Sequence, residues 1–493
     1  MKKSLMMMAL VACSLTSAWA QFSGAGSGTE SDPYKIYNAG QLHQVRNFLG
    51  QEGVVFQLMN DIDLADWIVD NNGSQGWEPI GVESQPFKGI FNGNGKKLTG
   101  FSITRSTTDY VGFFGYISGA TIKNLTIEGS VTGRNYVGGF VGKSDLTISS
   151  TLTGLTHIGS TTGVGSVGGI AGSCAGNFNN LRVTGDVTGS GNDVGGAIGR
   201  CGDVGSVSGI TVTGNVINSS SSSIVGTGGI VGYTDIPLSN VTYSGDVTGG
   251  NWVGGIVGYA NANINGAKAS GSVNGKDEGV GGICGKLEAV ELTLGNCSSE
   301  CNVTGTGNYV GGVLGYGIAA ISHCSSFGNV QGVSYVGGII GGYYITPIPE
   351  SMRSVVLKEV YYHDKRNYKE TSRDVFYTPK TINESIINCY AVGSVFASGD
   401  YAGGILGYFP NGCSLVQTVN RTLTLSSTDQ VNGVCTKGKY IYNITGTFTT
   451  YNYRSTNIIV AMSDNYFSGD LHGRNYVGGI VGLGGDMVIK QNY

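Results

Sequence analysis

Short apolar runs alternate with clusters of Gly, Asn, Ser and Asp along most of this chain. Apolar runs of that length, bounded by turn residues, predict β-strands rather than helices. One pattern recurs: it reads Tyr-Val-Gly-Gly-Phe-Val-Gly at Tyr136–Gly142, and its first Gly falls at positions 112, 138, 168, 195, 228, 254, 281, 311, 337, 403 and 478. Most intervals are 26 to 33 residues, a length typical of one structural repeat.

A unit of this length cannot bury its apolar face alone, so the repeat predicts units that stack around one shared core. We therefore expect an all-β fold: a single-stranded parallel β-helix in which each coil is hydrogen-bonded to the next, with a right-handed coil favoured. Equivalent residues would then form columns along the axis. One predicted inward column holds only apolar or thiol side chains, namely Leu125, Leu155, Leu181, Ile210, Val241, Ala267, Cys297, Cys324 and Cys389.

The strand Val-Gly-Gly-Ile-Val-Gly conflicts with simple alternation. Alternation would place Ile256 and Val257 on opposite faces of the strand, although both columns are apolar throughout the repeats. Either the chain bends at the Gly pair or something covers the outer face, because glycine permits both a tight bend and a close backbone approach.

The column pattern also predicts the state of most cysteines. Those that replace Leu, Ile or Val at inward positions are expected to be buried small hydrophobes; they are Cys284, Cys297, Cys324 and Cys389. Cys174 and Cys201 occupy the same position in adjacent coils, at a separation that permits a disulfide without requiring one. Cys413 and Cys435 lie in an irregular segment and could also pair.

The amino-terminal residues 1–20 are typical of a secretory signal peptide. Two lysines precede the apolar stretch Leu5–Val11, and an Ala-Trp-Ala cleavage site ends at Ala20, so the mature chain would begin at Gln21. An alternative is a lipobox-like sequence that would leave a lipid anchor on Cys13. No later segment has the ~20 uninterrupted apolar residues of a transmembrane helix.

Residues 21–109 are interpreted as an amino-terminal cap and the first coils. Asn38 could cap a short helix that runs to Leu49, with Leu42, Val45 and Phe48 on one side. Such a helix would cover the first coil and hide its unpaired edge.

The repeats proper occupy residues 110–342 and resume over 385–493. Residues 343–384 hold 13 charged residues in 42 and are interpreted as a solvated insertion, or alternatively as a binding loop that presents His363 and Arg366. Residues 408–460 form a second excursion, for which we expect degenerate coils. The last coil starts near Val488 and stops at Tyr493, which leaves an uncapped end that could pair with another molecule or mark a truncation.

Composition and the absence of known motifs exclude several classes of protein and of function. Of 493 residues, 85 are Gly and only 13% are charged, which excludes a disordered chain and a helical one. The chain lacks a basic stripe, so nucleic acid is not an expected partner. It also lacks the usual zinc, nucleophile and phosphate motifs, so no cofactor and no catalysis are expected. Calcium binding and polysaccharide cleavage remain alternatives for one carboxylate group, namely Asp61, Asp63, Asp66, Asp70 and Glu78.

The repeats resemble GLUG motifs, which are named for a Gly-Leu-x-Gly core. Gly312–Gly315 and Gly404–Gly407 come close to that core, and Gly28–Tyr34 through Asn92–Gly95 is similar to the segment that usually precedes such repeats. The resemblance covers nearly all of the mature chain except the two insertions. It implies an exported bacterial β-helix of adhesin-like surface proteins, here of a Gram-negative bacterium, secreted or held at the outer membrane.

Aromatic residues suggest where a ligand could bind. One column holds Tyr110, Tyr136, Trp252, Tyr309, Tyr335, Tyr401 and Tyr476, and another holds Tyr116, Tyr233, Tyr259, Tyr316 and Tyr408. These rings could pack at a corner of each coil, or they could be exposed platforms for sugars or a partner. The expected function is a structural, adhesin-like rod that presents loops to an extracellular glycan or a host or matrix protein, as a monomer or through end-to-end contacts. A non-catalytic carbohydrate-binding β-helix is the alternative.

Overall fold

The computed structural model describes residues 22–220, 226–288, 292–317, 319–343, 382–409, 458–483, 487–490 and 492, together with two separate strand pairs. Across these ranges the chain winds into a β-solenoid of about ten turns, and nearly all of its strands pair in parallel with the equivalent strand of the next turn. The predicted all-β parallel solenoid is therefore confirmed.

The coil that starts at Thr242–Gly249 shows how one turn is built. It continues through the short strands Val253–Gly254, Val257–Ala260 and Ile264–Asn265, with a bend between each. Each strand pairs with its equivalent 26 to 30 residues later; for example, Val253 is in register with Val280 and Ile264 with Leu294. Because the register is kept, equivalent side chains stack in columns along the axis.

Among the described residues, the strands form one sheet of 36 strands and a second of ten. The ten-stranded sheet comprises Asn135–Gly138, Gly165–Gly168, Val194–Gly195, Thr227–Gly228, Val253–Gly254, Val280–Gly281, Val310–Gly311, Val336–Gly337, Ala402–Gly403 and Val477–Gly478. The larger sheet comprises Tyr34–Ile36, Val55–Leu58, Ile62–Asp63, Ile90–Thr104, Phe114–Ile117, Thr121–Thr132, Val141–Ser144, Ser150–Ile158, Thr161–Thr162, Ala171–Thr184, Val187–Gly189, Ile198–Thr213, Val216–Asn218, Val231–Thr234, Leu238–Ser239, Thr242–Gly249, Val257–Ala260, Ile264–Asn265, Lys268–Gly275, Cys284–Leu287, Thr293–Gly295, Ser298–Gly305, Leu314–Gly317, Ala320–Ser322, Ser325–Ser326, Val330–Gly332, Ile340–Tyr343, Ile382–Ile387, Tyr390–Val392, Val395–Ala397, Leu406–Tyr408, Ile458–Ser463, Tyr466–Ser468, Leu471–His472, Val481–Leu483 and Met487–Lys490.

The Gly pair of the repeat makes the bend that the sequence left open. The strand ends at Gly254, the chain turns through Gly255 and Ile256, and a strand of the other sheet begins at Val257. Ile256 and Val257 are both fully buried, so both apolar columns face the core. A Cβ on Gly254 would lie 2.0 Å from the carbonyl oxygen of Val257, and no side chain fits there.

The second Gly of each pair makes room for a side chain across the core. Gly139 lies against the ring of His157, Gly229 against the ring of Tyr243, and Gly404 against Phe467. These rings belong to one column, which elsewhere holds smaller side chains such as Val212, Ala269 and Ser299. The glycine therefore lets a single core position accept anything from Ala to Tyr.

His157 shows what burial in this column does to a titratable group. Its side chain is fully buried, and Nε2 donates to the carbonyl oxygen of Gly129 at 2.9 Å. Burial lowers the pKa of His157 to about 4, because the apolar core disfavours the charged imidazole. The ring is therefore a neutral core residue at physiological pH.

A left-handed residue precedes the inward column of Leu125 and Cys389. Asn124 and Asn388 have φ of 55° and 54°, and intervening coils use Gly at the same position, as at Gly154 with φ 64°. Asn and Gly are the residues that adopt this conformation most easily. This column thus marks a backbone corner. Its described non-Gly members with positive φ are Asn124, Asn180, Asn240, Asn296, His323, Asn388 and Asp464.

The inward cysteines are buried, as predicted. Cys297, Cys324 and Cys389 follow one another in one column, each at most 1% exposed. Cys174 and Cys201 are in register on adjacent coils, but both are free thiols, so the disulfide considered for this pair is not formed. Burial raises the pKa of Cys174 to about 12, which keeps that thiol protonated. Cys413 and Cys435 lie outside the described residues.

The amino-terminal cap contains the predicted helix. Helix α1, Ala39–His43, continues as the 3-10 turn Gln44–Phe48, and the side chain of Asn38 accepts the backbone N–H of Gln41 at 3.0 Å. The ring of Phe48 packs on Phe56 of an early strand, with ring centroids 5.4 Å apart. A second helix, α2, Ala65–Asn72, and a 3-10 turn, Gly73–Gln75, were not predicted.

Both excursions leave the solenoid at the same place in adjacent coils. Strand Ile340–Tyr343 pairs directly with Leu406–Tyr408, and Ile382–Ile387 pairs with Ile458–Ser463, so the column register continues across each excursion. Inside the excursions, Val355–Leu357 pairs antiparallel with Val375–Tyr377, and Val416–Arg421 pairs antiparallel with Phe448–Tyr453. The latter pair forms a sheet of its own. The rest of 410–457 lies outside the described residues, so the degenerate coils expected for 408–460 stay a prediction.

We expect Gly255→Ala to lower the free energy of unfolding by about 1–3 kcal/mol, the usual cost of overpacking. The added methyl would lie 2.1 Å from the carbonyl oxygen of Gly282 on the next coil. Gly479→Ala is the matched control, because the same position of the last repeat has no heavy atom within 4 Å. Urea unfolding followed by circular dichroism measures both; equal losses would contradict the close approach.

Candidate functional site

The first aromatic column lies at a second left-handed corner, just before the Val-Gly strand. Every described non-Gly residue of this column has φ between 47° and 67°. For bulky residues this left-handed conformation destabilises the fold by roughly 1–2 kcal/mol. Each stacked aromatic pair stabilises it by about 0.5–1.5 kcal/mol. The column comprises Tyr110, Tyr136, Ser166, Asp193, Trp252, Tyr309, Tyr335, Tyr401 and Tyr476.

The rings of this column stack on one another along the axis. Tyr335 lies between Tyr309 and Tyr401, with ring centroids 4.7 and 5.0 Å apart and interplanar angles of 19° and 15°. Tyr401 stacks in turn on Tyr476 at 4.8 Å and 7°. The faces of Tyr335 and Tyr401 are therefore covered by neighbouring rings, which leaves mainly their edges and hydroxyl groups toward solvent.

Lysines from the second aromatic column, that of Tyr116 and Tyr259, cover two further groups of rings. The Nζ of Lys143 lies 4.8 Å from the ring centroid of Tyr136 and 5.5 Å from that of Tyr110. The Nζ of Lys286 lies 4.4 Å from the ring of Trp252 and 3.1 Å from a carboxylate oxygen of Glu288. Cation–aromatic contacts of this kind are stabilising, and burial lowers the pKa of Lys286.

Between these groups the aromatic column is interrupted by a polar network. Arg200 lies 3.3 Å from the carboxylate of Asp193 and stacks over Tyr233 at 3.9 Å. The Tyr233 hydroxyl donates to Asp235 at 2.7 Å, and Asn261 donates to both groups. Burial raises the pKa of Asp193, with Arg200 opposing that shift. Each polar group in the network has a partner within the protein.

The predicted ligand contacts are therefore not equivalent. The rings that are half-buried in the column are Tyr136, Trp252, Tyr309, Tyr335 and Tyr401. Tyr476 is 53% exposed at the end of the column. His363 and Arg366 lie outside the described residues. Whether any of these residues touches a ligand stays a prediction.

Two of the carboxylates considered for catalysis or calcium, Asp61 and Asp63, hold the local backbone. Asp61 accepts the backbone N–H of Lys97 at 2.8 Å, and Asp63 accepts that of Ala65 at the start of α2 at 3.0 Å. Asp66 lies in the first turn of the same helix. Within the described part of the chain, no group of three or more His, Cys, Asp or Glu is arranged to hold a metal ion.

Sequence reasoning missed a second set of aromatic residues, on the outer face of the last coils. Phe327, Tyr390 and Tyr466 are 46%, 42% and 48% exposed, beside Val392 at 39%. Their signal was present in the sequence, because the earlier coils carry no aromatic residue in the same strand positions. Ser, Thr, Lys and Arg fill the column of Tyr390, and Glu128, Ile158 and Ser270 occur in that of Phe327. The signal was hidden because the aromatic residues lie outside the Gly-Gly motif used to align the repeats.

Comparisons with known proteins give partial matches. Over 129 residues the chain is 43% identical to a "Putative Gly-rich membrane protein" of Evansella cellulosilytica, and over 126 residues it is 35% identical to "Halomucin" of Haloquadratum walsbyi. These matches cover 23% and 25% of this chain, but they span only 14% and 1% of the relatives. No family model matches.

A solved structure is also similar. It is the crystal structure of a "putative immunoglobulin A1 protease" from Bacteroides ovatus, at 25% identity and a TM-score of 0.30, over 61% of this chain and 76% of that one. In this chain, none of the helices in the described ranges is long and apolar enough to cross a membrane.

We expect Tyr335→Ala to be less stable than Tyr335→Gly by roughly 1 kcal/mol. Both substitutions lose the stacking, but only Ala keeps the cost of a left-handed Cβ at φ 59°. Gly279 already occupies this column, with φ 75°. Urea midpoints of the two variants give the comparison. A more stable Ala variant would show that the corner imposes no left-handed constraint.

Proposed function

We propose that this chain is a non-catalytic structural β-helix of the bacterial surface, exported through its amino-terminal signal and adhesin-like in presenting its outer faces to ligands. The repeat pattern supports placing it with the GLUG-motif proteins of Gram-negative bacteria. The chain would be secreted or held at the outer membrane, with Cys13 as the attachment point if a lipid anchors it. Its partners would be an extracellular glycan or a host or matrix protein.

The observation that carries the proposal is that side chains at equivalent positions have the same role in successive coils. Inward columns are filled by apolar residues and thiols, and outward polar side chains tie one coil to the next. Asp246 accepts the backbone N–H and the hydroxyl of Ser272 on the next coil, at 3.0 and 2.7 Å. Arg134 forms two 2.7 Å hydrogen bonds with Asp109, and Arg474 pairs with Asp400 in the same way.

Such a chain builds a long surface from repeated positions. The coils contact mainly their neighbours, so the length of the rod grows with the number of repeats while the faces stay regular. The match to a relative named a Gly-rich membrane protein supports a place at the cell envelope. Long solenoid surfaces of this kind are suited to binding extended partners.

Antibodies raised against the purified chain test the location. We expect these antibodies to label intact, unpermeabilised cells of the source organism. Protease added outside the cells should abolish this antibody labelling. Mass spectrometry of the isolated protein should find an amino terminus at Gln21 or a lipid on Cys13. Labelling only after permeabilisation, with residues 1–20 still attached, would contradict the proposal. An unrelated cytoplasmic protein of the same cells is the control for lysis.

A further inference from the structure

The outer face of the last three coils carries an exposed aromatic patch, which we call the Tyr390 patch and define as Phe327, Tyr390, Val392 and Tyr466. Tyr390 and Tyr466 are strand partners on successive coils. The ring of Phe327 lies against that of Tyr390, with centroids 5.6 Å apart at 71°. Val392 points outward two residues after Tyr390, beside Phe327. The four side chains thus form one continuous surface rather than scattered exposed residues.

In the preceding coils the column of Tyr390 is polar. The column that holds Tyr390 and Tyr466 is filled earlier by hydroxyl-bearing or charged side chains in register with one another, namely Lys97, Thr126, Thr156, Arg182, Thr211, Thr242, Lys268, Ser298 and Ser325. The fold therefore accepts Ser or Thr at these positions. Aromatic residues are not needed there for packing, so their presence calls for another cause.

Exposed apolar side chains that adjoin one another usually mark a binding surface. Each of the four residues of the patch is between 39% and 48% exposed. Covering their remaining apolar area would be favourable by about 25 cal/mol per Å². In the free chain this apolar area stays in contact with water, whereas a bound partner would remove it from water.

The side chains of the patch itself favour an uncharged ligand that is rich in hydroxyl groups. None of the side chains in the two outward columns of these coils is charged, whereas Lys268 and Glu300 occupy the same columns just before. Ser468, beside Val392, and the phenol groups of Tyr390 and Tyr466 supply hydroxyls next to the rings. A partner with a net charge would find no complementary charge within the patch.

We infer that the Tyr390 patch binds a neutral oligosaccharide. The apolar C–H face of a pyranose fits against an exposed ring, and its hydroxyl groups fit the phenols and serine beside it. Phe327, Tyr390 and Tyr466 lie on three successive coils, with Phe327 in the column of Val392 beside that of Tyr390 and Tyr466. A linear glycan would therefore cross successive coils along the rod. This inference rests on the proposed surface function and names its ligand class. It also moves the glycan site away from the corner column, where Tyr335 and Tyr401 cover each other's faces.

Calorimetric titration of the purified chain tests the inference with cellohexaose, chitohexaose and maltohexaose as neutral probes, and with polygalacturonate as a charged comparison. We expect saturable binding of at least one neutral probe. The double variant Tyr390→Ser with Tyr466→Ser should weaken that binding at least tenfold, because it restores the side chain found at Ser298 and Ser325. Thr211→Ala with Thr242→Ala is the matched control, since it changes the same column several coils earlier, and it should bind as the unmodified chain does.

Any of three titration results would overturn the inference: no binding of any neutral probe, binding that the Tyr→Ser pair leaves unchanged, or a preference for polygalacturonate. Binding to extracellular matrix proteins alone would also overturn it, because it would assign the patch to a protein partner. Circular dichroism of each variant shows whether the solenoid is intact. The surface function is tested separately by labelling intact cells, so a surface-exposed chain without glycan binding would refute only this inference.

Discussion

Most coils that the structure describes turn through two corners at which the backbone is left-handed, and the packing of neighbouring coils depends on these corners. Mostly Asn or Gly occupies the corner before the inward Leu and Cys column, and mostly aromatic residues occupy the corner before the Val-Gly strand. Because coils stack in register, a corner that suits one coil must suit its neighbours. The stacking of Tyr309, Tyr335 and Tyr401 offsets a backbone cost that a single Tyr would bear alone.

The glycine pairs are the other half of this constraint. No Cβ fits at Gly254, because the chain bends back on itself there, or at Gly255, because the backbone of the next coil approaches closely. Because the second Gly has no side chain, the facing core column can hold His157 in one coil and Ala269 in another. This arrangement explains how one motif is kept while the core beneath it varies, and why buried titratable groups such as His157 stay neutral.

Much of the fold follows from the sequence, because columns repeat and each repeat reports on the same position. The inward column of Leu125, the buried thiols and the helix capped by Asn38 were all predicted from spacing and residue type. The orientation of the aromatic rings was not predictable, because spacing places Tyr335 in a column without saying that its faces are covered. The Tyr390 patch was also missed, since it breaks the repeat composition outside the motif. The free state of Cys174 and Cys201 depends on local geometry that residue spacing leaves open.

The central claim is that equivalent residues of successive repeats are separated by one coil, ~4.8 Å along the solenoid axis, whatever lies between them in sequence. Spin labels on exposed positions of one column measure this directly, in a chain whose Cys413 and Cys435 are replaced by Ser. Lys97 and Lys268 are six coils apart, and so are Arg182 and Tyr390, although the second pair encloses the 343–384 excursion. Both pairs should give backbone separations of about 29 Å in pulsed electron–electron double resonance. Separations that differ by a coil or more between the two pairs would contradict the in-register solenoid.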